Sequence, residues 1–139
     1  MIVLDTNIIS ETMRPEPNQT VVTWLDQQHP QTLFLTTITV GEIRAGIACL
    51  PSGKRRERLS ELFETEILSA FSGRILGFDE PASKSFARIR ASMRAAGKSI
   101  GDVDALIASI ADAHGFTIAT RDVAPFKYAG LSIINPFEA

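Results

Sequence analysis

Five short, mainly apolar runs rich in β-forming residues are spaced along the chain with longer helical stretches between them, and this alternation constrains the fold more than any other feature. The runs are Ile2–Leu4, Leu33–Thr37, Arg74–Phe78, Phe116–Thr120 and Leu131–Ile134. Two of them are nearly all apolar, as strands buried on both faces are. Helical spacing predicts Thr20–Gln28, with Trp24 and Leu25. It predicts Val40–Leu50, with Val40, Ile43, Ile47 and Leu50 on one stripe, and Arg56–Ala70, with Leu59, Leu62, Phe63 and Ile67. Pro81–Ala96 carries Ala82, Phe86, Ile89 and Met93, and Val103–His114 stops at Gly115, a favourable C′ residue. The stretches RPEPN (Arg14–Asn18), LPSGK (Leu50–Lys54) and GFDEP (Gly77–Pro81) punctuate the pattern. Strands separated by helices form a parallel-type sheet covered on both faces. The spacing predicts one helix between the first and second strands and two between the second and third. The expected fold is α/β, a doubly wound α/β/α sandwich on a mostly parallel sheet of about five short strands.

The 139 residues are enough for a single domain, 1–139, with a core that needs no staples. No apolar run is long enough to span a bilayer and no charged-then-apolar leader precedes the first strand, so a cytoplasmic location is expected. Cys49 stands alone in an apolar helical pattern and reads as an inert core thiol. One Cys with two distant His, His29 and His114, cannot build a zinc site. A net charge of −2 argues against coating nucleic acid by charge alone, while leaving room for a local basic patch.

In doubly wound folds ligands gather beyond the carboxyl ends of the strands, and that is where the acids fall. Asp5 ends the first strand; Glu42 lies in the first turn after the second; Asp102 and Asp104 open the helix before the fourth; Asp122 follows the fourth. A carboxylate pair about 4 Å apart costs roughly 4 kcal/mol at an effective dielectric near 20, so such a cluster calls for a cation. Oxygen donors without His or Cys favour Mg²⁺ or Mn²⁺, and such ions suit phosphodiester chemistry.

Each acid also has a purely structural reading. TVGE (Thr39–Glu42) is a capping-box pattern in which Glu42 would only reach back to the Thr39 amide. Against this, Ala45, Gly46 and Cys49 continue the Glu42 face as small residues that would let another backbone approach. Asp102 suits an N-cap, which leaves Asp104, within the first turn, as the ligand. Asp122 could close an Asx turn. Asp79, before Glu80 and Pro81, reads as a helix cap and is left out of the site.

Taken together, LDTN at the amino terminus, GE opening the second main helix, DALIA opening a late helix and ATRD after a strand resemble the PIN-domain ribonucleases. The likeness runs the length of the chain to the closing NPF (Asn135–Phe137) and is nearest to the toxin half of bacterial VapBC or FitAB-type toxin–antitoxin pairs. It implies a metal pocket of Asp5, Glu42, Asp104 and Asp122, supported by Thr6, Asn7 and Thr120. Asp5 and Asp104 would hold Mg²⁺ or Mn²⁺, with Glu42 and Asp122 acting directly or through water. Asp102 has no counterpart in the pattern, and no departure from the motifs suggests an inactive relative. The resemblance implies an RNA substrate, a cognate antitoxin whose arginine could plug the pocket, and a homodimer. It places no membrane in contact with the protein, and DNA only through the antitoxin.

Two basic stretches are candidates for the RNA side: Arg90, Arg94 and Lys98, which recur every four residues, and KRRER (Lys54–Arg58). Glu57, Glu61 and Glu64 can neutralise the second, so the first is preferred. Two other classes remain open. A phosphoacceptor receiver domain would need adjacent acids after the first strand and Asp79 as acceptor. A non-catalytic protein would use the acidic groove only to dock a basic partner.

Overall fold

The computed structural model describes residues 1–139. Five strands, β1 (Ile2–Leu4), β2 (Leu33–Thr36), β3 (Ile75–Leu76), β4 (Thr117–Ala119) and β5 (Ile133–Ile134), form one sheet in the order β3-β2-β1-β4-β5. Every pairing is parallel, with Ile2 opposite Leu33 and Thr117, Leu35 opposite Ile75, and Ile118 opposite Ile133. Because consecutive side chains point to opposite faces, Val3 and Ile118 enter one core and Leu4, Leu35 and Ala119 the other.

The first core lies under α6 (Glu80–Ala95), α7 (Asp102–His114) and α8 (Val123–Tyr128), through Ile89, Met93, Ala105, Ala108 and Phe126. The second lies under α1 (Thr6–Thr12), α2 (Gln19–Asp26), α3 (Thr37–Ala48) and the helix that starts as α4 (Lys54–Glu61), through Ile8, Val21, Trp24, Ile43 and Phe63. The predicted Arg56–Ala70 helix is interrupted: α4 widens into a π-helical stretch, Leu62–Ile67, before a last turn, α5 (Leu68–Ala70). Of its expected apolar stripe only Phe63 is buried, and the π-helical stretch contains it.

Two helices, α1 and α2, join β1 to β2, not the single one expected. In α1, TNIISET has Glu11 as its one strong helix former, but Asp5 caps its start and Ile8 and Ile9 bury against the sheet, and packing outweighs a weak propensity. The short α8 also escaped prediction; it tolerates Pro125 because first-turn amides have no partner within the helix. Cys49 is exposed, not buried, since it caps α3 off the Val40–Ile43–Ile47 stripe. No helix is long and apolar enough to cross a membrane.

α7 ends as expected at Gly115, whose φ of +69° is left-handed. A Cβ there would meet nothing within 4 Å, so the cost of a side chain is conformational alone. Gly115→Ala is expected to destabilise the protein by about 1–2 kcal/mol and to lower Tm by several degrees in thermal denaturation.

Candidate metal and nuclease site

The chain winds outward from β1 to β3 and then returns to β4 on the other side of β1, so the topological switch point lies between β1 and β4. Asp5 stands there. Its amide continues the ladder by donating to the Ala119 carbonyl at 2.9 Å, and its Oδ1 accepts from the Thr6 amide at 2.8 Å, capping α1. Its Oδ2 accepts from the buried Thr120 hydroxyl at 2.8 Å and from Asn7 Nδ2 at 3.4 Å. Asn7 further ties the two strand ends, donating to Thr120 Oγ1 at 3.3 Å and accepting from the Arg121 amide at 3.2 Å. Burial raises the Asp5 pKa to about 6; the Thr120 and Thr6 hydrogen bonds oppose the shift, and the charges of Asp104 and Glu42 add to it.

Glu42 arrives from α3. That helix starts earlier than the sequence suggests, because Thr36 caps it with Oγ1 accepting from the Thr39 amide at 3.1 Å. Glu42 therefore falls in the second turn and forms no capping box. Its Oε1 accepts from the Thr6 hydroxyl, which also lies 3.2 Å from Thr39 Oγ1. The face beyond it is open: Glu42 and Gly46 are exposed, and no backbone approaches Gly46, so the expected close packing is absent.

Asp104 lies in the first turn of α7. Gly101 occupies the cap position, so Asp102 is the first helical residue and not the cap; it is exposed and paired with Arg90. Asp104 is half-buried, and its pKa is raised by burial, then by Asp122 and Glu42. Asp122 occupies the cap position of α8 but its side chain makes no capping bond, and its amide donates to Thr120 Oγ1 at 3.1 Å. Asp79 is a helix cap, with Oδ1 accepting from the Ala82 amide at 3.0 Å, and it does not line the cavity that holds the other acids, where a receiver's acceptor would stand.

Asp5, Glu42, Asp104 and Asp122 thus line one cavity of about 530 Å³, with Thr6 and Asn7 in its wall. No three acids converge closely enough to clasp one point as they stand. The donor set nevertheless fits a hard divalent ion: all are oxygens, and the raised pKa values of Asp5 and Asp104 reflect burial and like charges facing one another.

Arg90, Arg94 and Lys98 do not join this cavity. They border a separate depression of about 700 Å³ between the end of α6 and the loop before α7. Arg90 there pairs with Asp102 and donates to the Ile100 carbonyl at 3.0 Å, while Lys98 sits over the Tyr128 ring. The cations of the acidic cavity are instead Arg14 and Arg121, which sequence reasoning missed along with Ser10, Glu11 and Phe137. The signal was available had α1 been recognised, since Asn7, Glu11 and Arg14 are spaced to share one helical face.

A family model described as PIN domain matches residues 2–131. The chain is 51% identical over 138 residues to the VapC ribonuclease Y4jK of Sinorhizobium fredii, covering 99% of each protein. It is 46% identical over 137 residues to Toxin FitB of Neisseria gonorrhoeae, again covering 99% of each. The crystal structure of FitAcB from Neisseria gonorrhoeae superposes with a TM-score of 0.96 at 45% identity, covering all of both chains. The strand order, the position of the acidic cavity at the switch point and these likenesses agree, and the chain belongs to the PIN-domain family as a toxin of the VapC/FitB type.

Proposed function

We propose that this protein is a metal-dependent endoribonuclease and the toxin of a toxin–antitoxin pair, acting in the cytoplasm. The observation that carries the reading is the gathering of Asp5, Glu42, Asp104 and Asp122, from four separate elements, in one cavity at the switch point of the sheet. Asp5 and Asp104 are the residues that would hold Mg²⁺ or Mn²⁺, with Glu42 and Asp122 contributing through water. Bound there, such an ion would supply an acidified water and draw off charge on the phosphoryl oxygens.

The protein's own groups set the geometry. Thr120 and the Thr6 amide each bind one oxygen of Asp5, leaving the carboxylate one orientation. Asn7 bonds both Asp5 and Thr120 and so ties the two strand ends together. The Thr6 hydroxyl restrains Glu42. Outside the acidic cavity, the depression bordered by Arg90, Arg94 and Lys98, where Arg90 pairs with Asp102, is the proposed outer contact for an RNA strand. RNA strands whose scissile phosphate is exposed, in loops or single-stranded segments, are the substrates that suit an open cavity.

A cognate antitoxin is the proposed protein partner, with a basic side chain entering the acidic cavity, and a second copy of the chain completes a homodimer; DNA is met only through the antitoxin. Purified protein is expected to cleave RNA with Mg²⁺ or Mn²⁺ and to stop when EDTA is added. Cleavage undiminished by chelation rules out the metal mechanism, and no cleavage with either ion rules out the nuclease.

A further inference from the structure

Five carboxylates line the acidic cavity against two arginines, Arg14 and Arg121. Such a cavity repels a phosphodiester even after one divalent ion is bound, so a fixed cation at its edge has a function there. Arg14 is that cation. It is the one arginine that lines both the acidic cavity and the adjoining groove of about 600 Å³ between α1, α3 and α4, where Arg55 and Arg58 also lie. Thr6, Ser10 and Glu42 likewise border both spaces, so the two are continuous.

Arg14 is tethered in an unusual way. Glu11 is one of only two buried carboxylates in the protein, the other being Asp5. Burying a carboxylate is costly unless its oxygens are bonded, and those of Glu11 are taken up locally. Oε1 and Oε2 lie 3.3 and 3.4 Å from Arg14 Nη1, and Oε2 also accepts from the Asn18 amide at 3.0 Å. The Arg14 amide donates to the Glu11 carbonyl at 3.2 Å, closing the turn after α1. One guanidinium nitrogen, Nη1, is thereby anchored on a buried acid while the side chain stays 65% exposed, leaving its other donors available.

From this arrangement we infer that Arg14 binds a substrate phosphate at the junction of the acidic cavity and the α1/α3/α4 groove, and that buried Glu11 acts through it as a positioning residue. A guanidinium suits the task because it presents several donors in a fixed plane to a phosphate. The inference rests on the nuclease reading above.

Steady-state cleavage of a short single-stranded RNA in Mn²⁺ tests it, with wild type, R14A, R14K, E11Q and the E11Q/R14A double variant compared. R14A is expected to raise KM roughly tenfold to hundredfold with kcat changed by less than about threefold. It should also flatten the dependence of log KM on log salt by about one contact. R14K should recover part of the loss. E11Q should raise KM severalfold in the wild-type background and leave it unchanged in R14A, because its effect runs through Arg14. Melting of each variant with and without Mn²⁺ verifies the fold and the metal site independently of cleavage. Wild-type protein that cleaves with R14A unchanged in KM and salt slope overturns this inference alone. So does an E11Q effect that is the same in both backgrounds, which marks Glu11 as a brace for the turn. Wild-type protein that cleaves no RNA overturns the nuclease reading and this inference with it.

Discussion

Asp5→Asn is expected to abolish the proposed RNA cleavage, lowering it about a thousandfold or more, while the protein remains folded. Removing a charged metal donor forfeits several kcal/mol of stabilisation at the reacting phosphate, and about 4 kcal/mol corresponds to roughly three orders of magnitude in rate. The fold tolerates the change because Asn keeps an oxygen for the Thr6 amide and so retains the cap on α1. It also relieves the charge that burial and the facing carboxylates penalise. A fluorogenic RNA assay and far-ultraviolet circular dichroism measure the two halves of the claim. Full activity in a folded variant removes Asp5 from the site, and an unfolded variant removes the claim that its role is chemical.

The metal-free protein is expected to become more stable as pH falls from 7 towards 4. Asp5 has a folded pKa of about 6 against an ordinary 3.8, so the folded state holds its proton more tightly than the unfolded chain. Its charged form therefore destabilises the fold above pH 6, and the penalty is relieved as pH drops through 6 to about 4. For a shift of this size the full effect is about 3 kcal/mol, or on the order of 10 °C in Tm. Asp104 is shifted the same way and adds to it. Asp112 works in the opposite sense: it is partly buried, yet hydrogen bonds from Ser85 and Arg88 hold its pKa below the usual range. Its contribution is lost at still lower pH, where the trend turns over. Mg²⁺ or Mn²⁺, bound as proposed, would reverse the picture by stabilising the charged carboxylates; at a hundred times its Kd a ligand adds about 2.7 kcal/mol. The Tm gain from metal should be larger at pH 7 than at pH 5, where protons compete for the same oxygens. Thermal scans across pH, with and without Mn²⁺, read all of this. An acid-induced rise in Tm that persists undiminished in Asp5→Asn assigns the effect to other groups.

The five strands were legible to within a residue or two because each is short, apolar and hemmed by turn residues. Gly115 ended α7 as its chemistry requires, and Asp79 capped α6. The errors share a cause. α1 has little intrinsic reason to be helical and forms because Ile8 and Ile9 find a sheet to cover. Glu42 was placed a turn too early because the cap is Thr36, the last residue of β2, and its partner is the Thr6 hydroxyl from the other end of the sheet's first crossover. Cys49 and the Glu42 face were expected inside, yet the groove between α1, α3 and α4 stays open. Arg90 pairs with Asp102 and lines a depression other than the acidic cavity, a pairing between α6 and α7 that local spacing does not encode.

From residue order alone came the alternating α/β pattern, the acids at the strand ends and the family they mark, since apolar periodicity and turn chemistry act over a few neighbours. Only the tertiary structure decided which side chains meet. The order β3-β2-β1-β4-β5 sets β1 beside β4 and so brings Thr120 against Asp5, positions 115 residues apart in sequence. It also decided that Arg14 and Arg121, not Arg90, Arg94 and Lys98, are the cations of the acidic cavity. Strand order and helix docking depend on burying whole faces at once, and that energy is a property of the assembled core, not of any short stretch of sequence.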